Sequence, residues 1–84
     1  MADGGVKMGL SRDLSLRLAM QTMKGASELM QTQYGRKHHM QMKDEVCSPG
    51  GTTIAGVHEL EKHNFRNAVI STVEAACNKA KEFQ

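Results

Sequence analysis

An 84-residue chain with a formal net charge of +2, 39% hydrophobic residues, seven Met, no Trp and a single Pro holds one domain and no more. Its basic residues cluster only at Arg36, Lys37, His38 and His39, with no aromatic interleaving beyond Tyr34, too narrow a face for reading nucleic acid. No apolar run approaches the roughly 18 residues of a membrane span, and Cys47 and Cys77 form neither a disulfide framework nor a zinc signature.

With one Tyr and two Phe, the chain lacks the aromatic anchors that usually dominate cores, so Met and aliphatic side chains must do the filling. Residues 2–9, ADGGVKMG, carry adjacent glycines that each cost about 1 kcal/mol in a helix. On their own they predict a poor helix, better understood as the end of an element that begins earlier. Ser11 is a helix N-cap with Asp13 in the first turn. Leu14, Leu18, Met23, Ala26, Leu29 and Met30 then make one apolar stripe to about Gln33, with Gly25 as a point of close approach for another helix. Tyr34–Lys37 is a polar break containing Gly35. His39–Cys47 is a short helix turning Met42 and Val46 inward. After the Gly-rich stretch, Ile54, Val57 and Leu60 share a face of a helix that frays near His63. Asn64 caps the last helix, where Phe65, Val69, Thr72, Val73, Ala76, Ala80 and Phe83 form the clearest stripe.

No strand pattern, repeat or low-complexity tract interrupts this, so the fold class is all-α. Two long stripes with little aromatic mass cannot easily cover each other in a chain of this size. Association with a second copy would cover them. A monomeric helical bundle is the alternative.

Ser48-Pro49 is a strong helix opening, a capping hydroxyl followed by Pro at the first helical position. The amides of Gly50, Gly51, Thr52 and Thr53 then fall in the first turn, at the positive end of the helix dipole. A carboxylate or phosphate could settle there, with the Ser48 and Thr53 hydroxyls beside it. A plain cap and tight turn would account for the same residues. Against that, two glycines at a helix start bring no obvious structural return.

DEVCSPGGTTIAGVHELEK, residues 44–62, closely resembles the signature near the C-terminus of pyrroline-5-carboxylate reductases. ADGGVKMGL at 2–10, FR at 65–66 and VEAAC at 73–77 match that family in the same order. The resemblance covers essentially the whole chain, 1–84. It implies the C-terminal dimerisation and substrate-binding domain of an oxidoreductase of proline biosynthesis. The fold implied is a domain of about five helices, intertwined with a second copy, in a homodimer or an oligomer of dimers. The reaction implied is reduction of L-1-pyrroline-5-carboxylate to L-proline with NADPH or NADH. By the resemblance, Ser48, Gly50, Gly51, Thr52 and Thr53 hold the substrate. The amides and the Ser48 hydroxyl grip its carboxylate, and Thr53, the catalytic residue, meets the ring nitrogen.

The chain departs from the family at His39, where Pro is frequent, and at Met40, where Gly or Ala is common. It also lacks a GxGxxG after a strand, so no dinucleotide cofactor is expected on this chain alone, and no reductase activity from it. A stand-alone, non-catalytic dimerisation module is the competing reading; an unrelated helical binding protein is a weaker third. The histidine spacings supply no metal ligand set. Cys47 reads as a packed small side chain and the Met residues as core and interface. The absence of a signal peptide or membrane span points to the cytoplasm, or to a mitochondrion if a targeting segment precedes residue 1.

Overall fold

The structure, a computed structural model, describes residues 1–83 and contains five helices: α1 (Ala2–Lys7), α2 (Arg12–Gln33), α3 (His39–Val46), α4 (Thr52–Lys62) and α5 (Phe65–Lys81). Among the described residues there is no strand, as the sequence pattern predicts. The chain divides into two compact units, Met1–Met42 and a second from Lys43 onward.

In the first unit, the glycine-containing segment is helical after all. Asp3 in its first turn and Lys7 in its last complement the helix dipole. Gly5 has a packing reason: a Cβ there would lie 2.5 Å from Ser15 Oγ and 3.0 Å from Ser15 Cβ, so α1 meets α2 at bare backbone. Gly9, at φ +105°, ends α1. Its N–H donates to Val6 O at 3.0 Å, and the Leu10 N–H reaches Gly5 O at 3.0 Å, the paired bonds of a Schellman stop. Ser11 then caps α2 as its sequence predicts, its Oγ accepting the Leu14 N–H at 3.2 Å. Asp3 and Arg12 close the α1–α2 corner with an exposed ion pair of 2.6 Å.

The start of α3 has a cap that the sequence reading missed. His38 Nδ1 accepts the Met40 N–H at 3.1 Å, and the His38 carbonyl accepts from Gln41 and Met42. In the second unit, α4 and α5 pack on each other around a corner at Asn64. Asn64 occupies the expected cap position, but it is left-handed at φ 55° and its side chain makes no capping bond. It serves as a turn residue, a conformation Asn tolerates better than most.

The expected stripes are present, yet the chain does not cover them. No hydrophobic residue is buried among the described ones; the buried residue is Ser15, whose hydroxyl has no partner. On α2, Leu18 is 49% and Met23 62% exposed, and on α5 Val69 is 47% and Val73 65% exposed. Val46, expected to face inward, is also exposed, while Met42 is half-buried. Gly25 receives no helix from within the chain: a Cβ there would find only Gln21 Nε2, at 3.9 Å. Exposed ion pairs such as Lys62–Glu59 and Arg66–Glu61 add well under about 1 kcal/mol each. Lys43 sits 2.8 Å from Asp44, whose hydrogen bond and then charge raise the ammonium's pKa. That pair contributes below the ordinary lysine range and is lost as pH rises through the raised value.

The two neighbouring glycines of α1 should therefore respond oppositely to alanine. Gly4, with nothing within 4 Å, should gain up to about 1 kcal/mol in chemical denaturation from helix propensity. Gly5→Ala should lose stability, since overpacking of roughly 1–3 kcal/mol outweighs that gain. Equal gains at both positions would show that α1 does not rest on Ser15.

Candidate functional site

Ser48, Pro49, Gly50 and Gly51 form a tight turn rather than the first turn of a helix. The Gly51 N–H donates to the Ser48 carbonyl at 3.1 Å. Pro49 presets the first central position and Gly50 takes φ +68° at the second, the pattern of a type II turn. Helix α4 starts at Thr52 with Gly51 as its N-cap, three residues later than Pro49-first capping predicts. Each glycine now has its own structural cause. Gly50 supplies the left-handed φ, and at Gly51 a Cβ would collide with Ser48 Oγ, which lies folded over the helix start. Both glycines thus bring a structural return, contrary to the expectation from the sequence.

The turn leaves the end of α4 open. Gly51 makes no side-chain cap bond, so the N–H groups of Thr52, Thr53 and Ile54 stand without intrahelical acceptors. The helix threonines Thr22, Thr32 and Thr72 spend their hydroxyls on carbonyls one turn back, at 2.6–2.7 Å. Thr52 and Thr53 have no such helical carbonyl behind them and make no side-chain hydrogen bond to the described residues. The result is a cluster of unengaged amide donors and hydroxyls at the positive end of a helix dipole, chemistry suited to a small anion with a second polar group.

Beside the turn, an open groove of about 460 Å³ runs along α4, lined by Gly50, Gly51, Ile54, Ala55, Val57, His58 and Glu61. Of the residues expected in a site, Gly50 and Gly51 line it, whereas Ser48, Thr52 and Thr53 do not. Ile54, Val57, His58 and Glu61 follow the i, i+3, i+4, i+7 spacing of one helix face, so periodicity could have located them. The turn joins helix to helix and follows no strand, so it does not fit a dinucleotide pyrophosphate in the usual strand–turn–helix manner. Among the described residues no three His, Cys, Asp or Glu side chains converge as metal ligands. No helix among them is long and apolar enough to cross a membrane. Cys47, next to the turn, is half-buried and Cys77 exposed; both are free thiols.

A strand-free set of helices with uncovered apolar stripes and a bare helix end beside a glycine turn defines a helical association domain. The chain belongs to the family described as pyrroline-5-carboxylate reductase dimerisation, whose profile matches residues 1–83. It is 57% identical over 82 residues to a pyrroline-5-carboxylate reductase of Pisum sativum, covering 98% of this chain and 29% of that protein. It is 48% identical over 84 residues to pyrroline-5-carboxylate reductase 2 of Macaca fascicularis, covering 100% of this chain and 26% of that one. Among solved structures it resembles the Plasmodium falciparum pyrroline carboxylate reductase, solved with NADP bound. There the TM-score is 0.86 at 46% identity, over 93% of this chain and 31% of that chain. The chain therefore spans under a third of the length of these relatives.

The turn geometry sets a pair of expectations. Gly50→Ala should cost about 1–2 kcal/mol, because only a left-handed residue fits there. Gly51→Ala should also destabilise, and Ser48→Ala in the same chain should recover most of that loss by removing the colliding hydroxyl. A double variant no more stable than Gly51→Ala in denaturant titration would refute the contact.

Proposed function

We propose that this chain is the dimerisation and substrate-binding portion of a pyrroline-5-carboxylate reductase, and that the turn at Ser48–Thr53 holds the substrate. The observation carrying this reading is the open end of α4, with free amides and unengaged Thr52 and Thr53 hydroxyls, at the stretch that resembles the reductases' substrate-holding signature.

In this reading the carboxylate of L-1-pyrroline-5-carboxylate lies against the amides of Thr52 and Thr53, with the Ser48 hydroxyl folded over it. The Gly51 amide is committed to the turn, and its bare Cα is what lets the Ser48 hydroxyl fold over the helix start beside the anion. The Thr53 hydroxyl hydrogen-bonds the ring nitrogen and fixes which face of the C=N bond is presented. Reduction places a hydride on the imine carbon and a proton on the nitrogen. The hydride is the chemistry that NADPH or NADH supplies when bound, and the relative solved with NADP supports a nicotinamide partner. This chain's part is orientation and charge complementarity. It needs no nucleophile.

The apolar stripes of α2 and α5 are the surface by which a second copy would dock, in a homodimer or an oligomer of dimers. Half-exposed Phe65 and Val69 and more exposed Ile70 and Val73 on one helix fit that role.

A chimera carrying this chain in place of the matching segment of the Pisum sativum enzyme tests the site. It should make proline from pyrroline-5-carboxylate. Thr53→Ala should then lower kcat/KM roughly 10- to 100-fold, with Thr53→Ser recovering much of it. An unchanged kcat/KM in Thr53→Ala would exclude the role given to the hydroxyl. The isolated 84-residue chain should show no proline formation with NADPH, and detectable turnover would defeat the division of labour. Sedimentation should give a dimer that Val73→Asp dissociates; a wild-type monomer would contradict the docking role.

A further inference from the structure

Arg36, Lys37, His38 and His39, the sequence's basic cluster, take no part in the proposed proline chemistry. Within the first unit they line one open groove of about 570 Å³ together with Met30, Tyr34 and Met42. That volume, with apolar walls and a few polar groups, is typical of a small-molecule site.

Three features select an occupant. The Arg36 guanidinium makes no hydrogen bond or ion pair with the described residues, so its donor fork is open to an oxyanion. The bond from the Met40 N–H to His38 Nδ1, at 3.1 Å, requires that nitrogen to be unprotonated. The His38 proton therefore sits on Nε2, a donor on a groove-lining ring. Finally, the His38 and His39 rings stack with centroids 4.2 Å apart, and Tyr34 is 90% exposed, giving flat surfaces for an aromatic body. No Asp or Glu lines the groove, so its charge is of one sign. The Arg36 fork and His38 Nε2, donors from two residues two positions apart, suit the several oxygens of a phosphate better than the two of a carboxylate.

We infer that this groove binds a small aromatic phosphate of the nucleoside monophosphate type. The phosphate sits at Arg36 and the imidazoles, and the ring lies against Tyr34 and the histidine pair. The site is separate from the Ser48–Thr53 turn; Met30, at the end of the α2 stripe, is the one lining residue it shares with the proposed docking surface.

The test is titration of the 84-residue chain with AMP at low salt, followed by NMR of the Tyr34, His38 and His39 ring protons. AMP should shift these signals selectively, and rising salt should weaken it. Adenosine and inorganic phosphate should each bind at least about tenfold more weakly, as should AMP to Arg36→Ala. Should that variant lose helicity by circular dichroism, Arg36→Lys decides: it keeps the charge, loses the fork and should bind several-fold more weakly. Thr53→Ala should leave AMP binding unchanged, which separates failure of this site from failure of the substrate site. The inference is overturned if the groove signals do not move or if either Arg36 variant binds as the parent does. Equal binding of inorganic phosphate or adenosine, or saturation by an acidic peptide but not by AMP, would overturn it too.

Discussion

Ordering a chain costs roughly 1–2 kcal/mol per residue in backbone entropy, and burial of apolar side chains is the main term that offsets it. This chain withholds most of that term. Fully burying a Leu, Val or Met is worth about 1.5–3 kcal/mol, yet Leu18, Met23, Val69 and Val73 stay half or more exposed. Helix caps such as Ser11 contribute about 1 kcal/mol each, and surface ion pairs less. These local terms cannot make up the difference. The stripes are the structural requirement on which everything else rests: something must cover them, and membership of a dimerisation family identifies the kind of cover.

The close contact between α1 and α2 illustrates how little the chain packs on itself. Gly5 and Ser15 bring α1 and α2 together through two small residues, and the contact buries a hydroxyl without a partner. An unsatisfied buried donor costs about 1–3 kcal/mol. A contact that costs this much is not what holds a domain together. Its effect is geometric: with the Schellman stop at Gly9 and the Asp3–Arg12 pair, it sets the angle at which α2 leaves the corner.

Element positions were largely legible because their signals are local. Ser11 with Asp13 starts a helix wherever it occurs, and the stripe to Gln33 could be counted by eye. Position-specific turn chemistry was harder. Ser-Pro has two good uses, a helix cap and the first half of a type II turn, and only the backbone of Gly50 separates them. His38 was missed as a cap because His is rarely one; its acceptor nitrogen does the work usually given to Ser or Asp. Burial was not legible either, since an apolar stripe states that something must cover it and not whether the cover comes from the same chain. At the candidate site, Gly50 and Gly51 of the motif line the groove, while Ser48, Thr52 and Thr53 do not. The groove face of Ile54, Val57, His58 and Glu61 went unread although its spacing was in plain view.

The proposed substrate site and the uncovered stripes are then parts of one problem. Helix α4 has 11 residues, short of the roughly 12–15 at which even favourable isolated helices become marginal. Its N-terminal amides converge only while the helix is formed. What keeps it formed is its apolar face, where Ile54 and Leu60 remain partly exposed, and its packing on α5. Covering those faces stabilises the helix and so readies the anion site; an anion bound there stabilises the helix and so favours covering. By linkage the two effects are equal in free energy and reciprocal. In the proposed function, a substrate carboxylate held by backbone amides, rather than by an Arg or Lys on a rigid sheet, would tie the binding step to assembly. That coupling is a physical reason for the proposed substrate site to lie in a dimerisation domain.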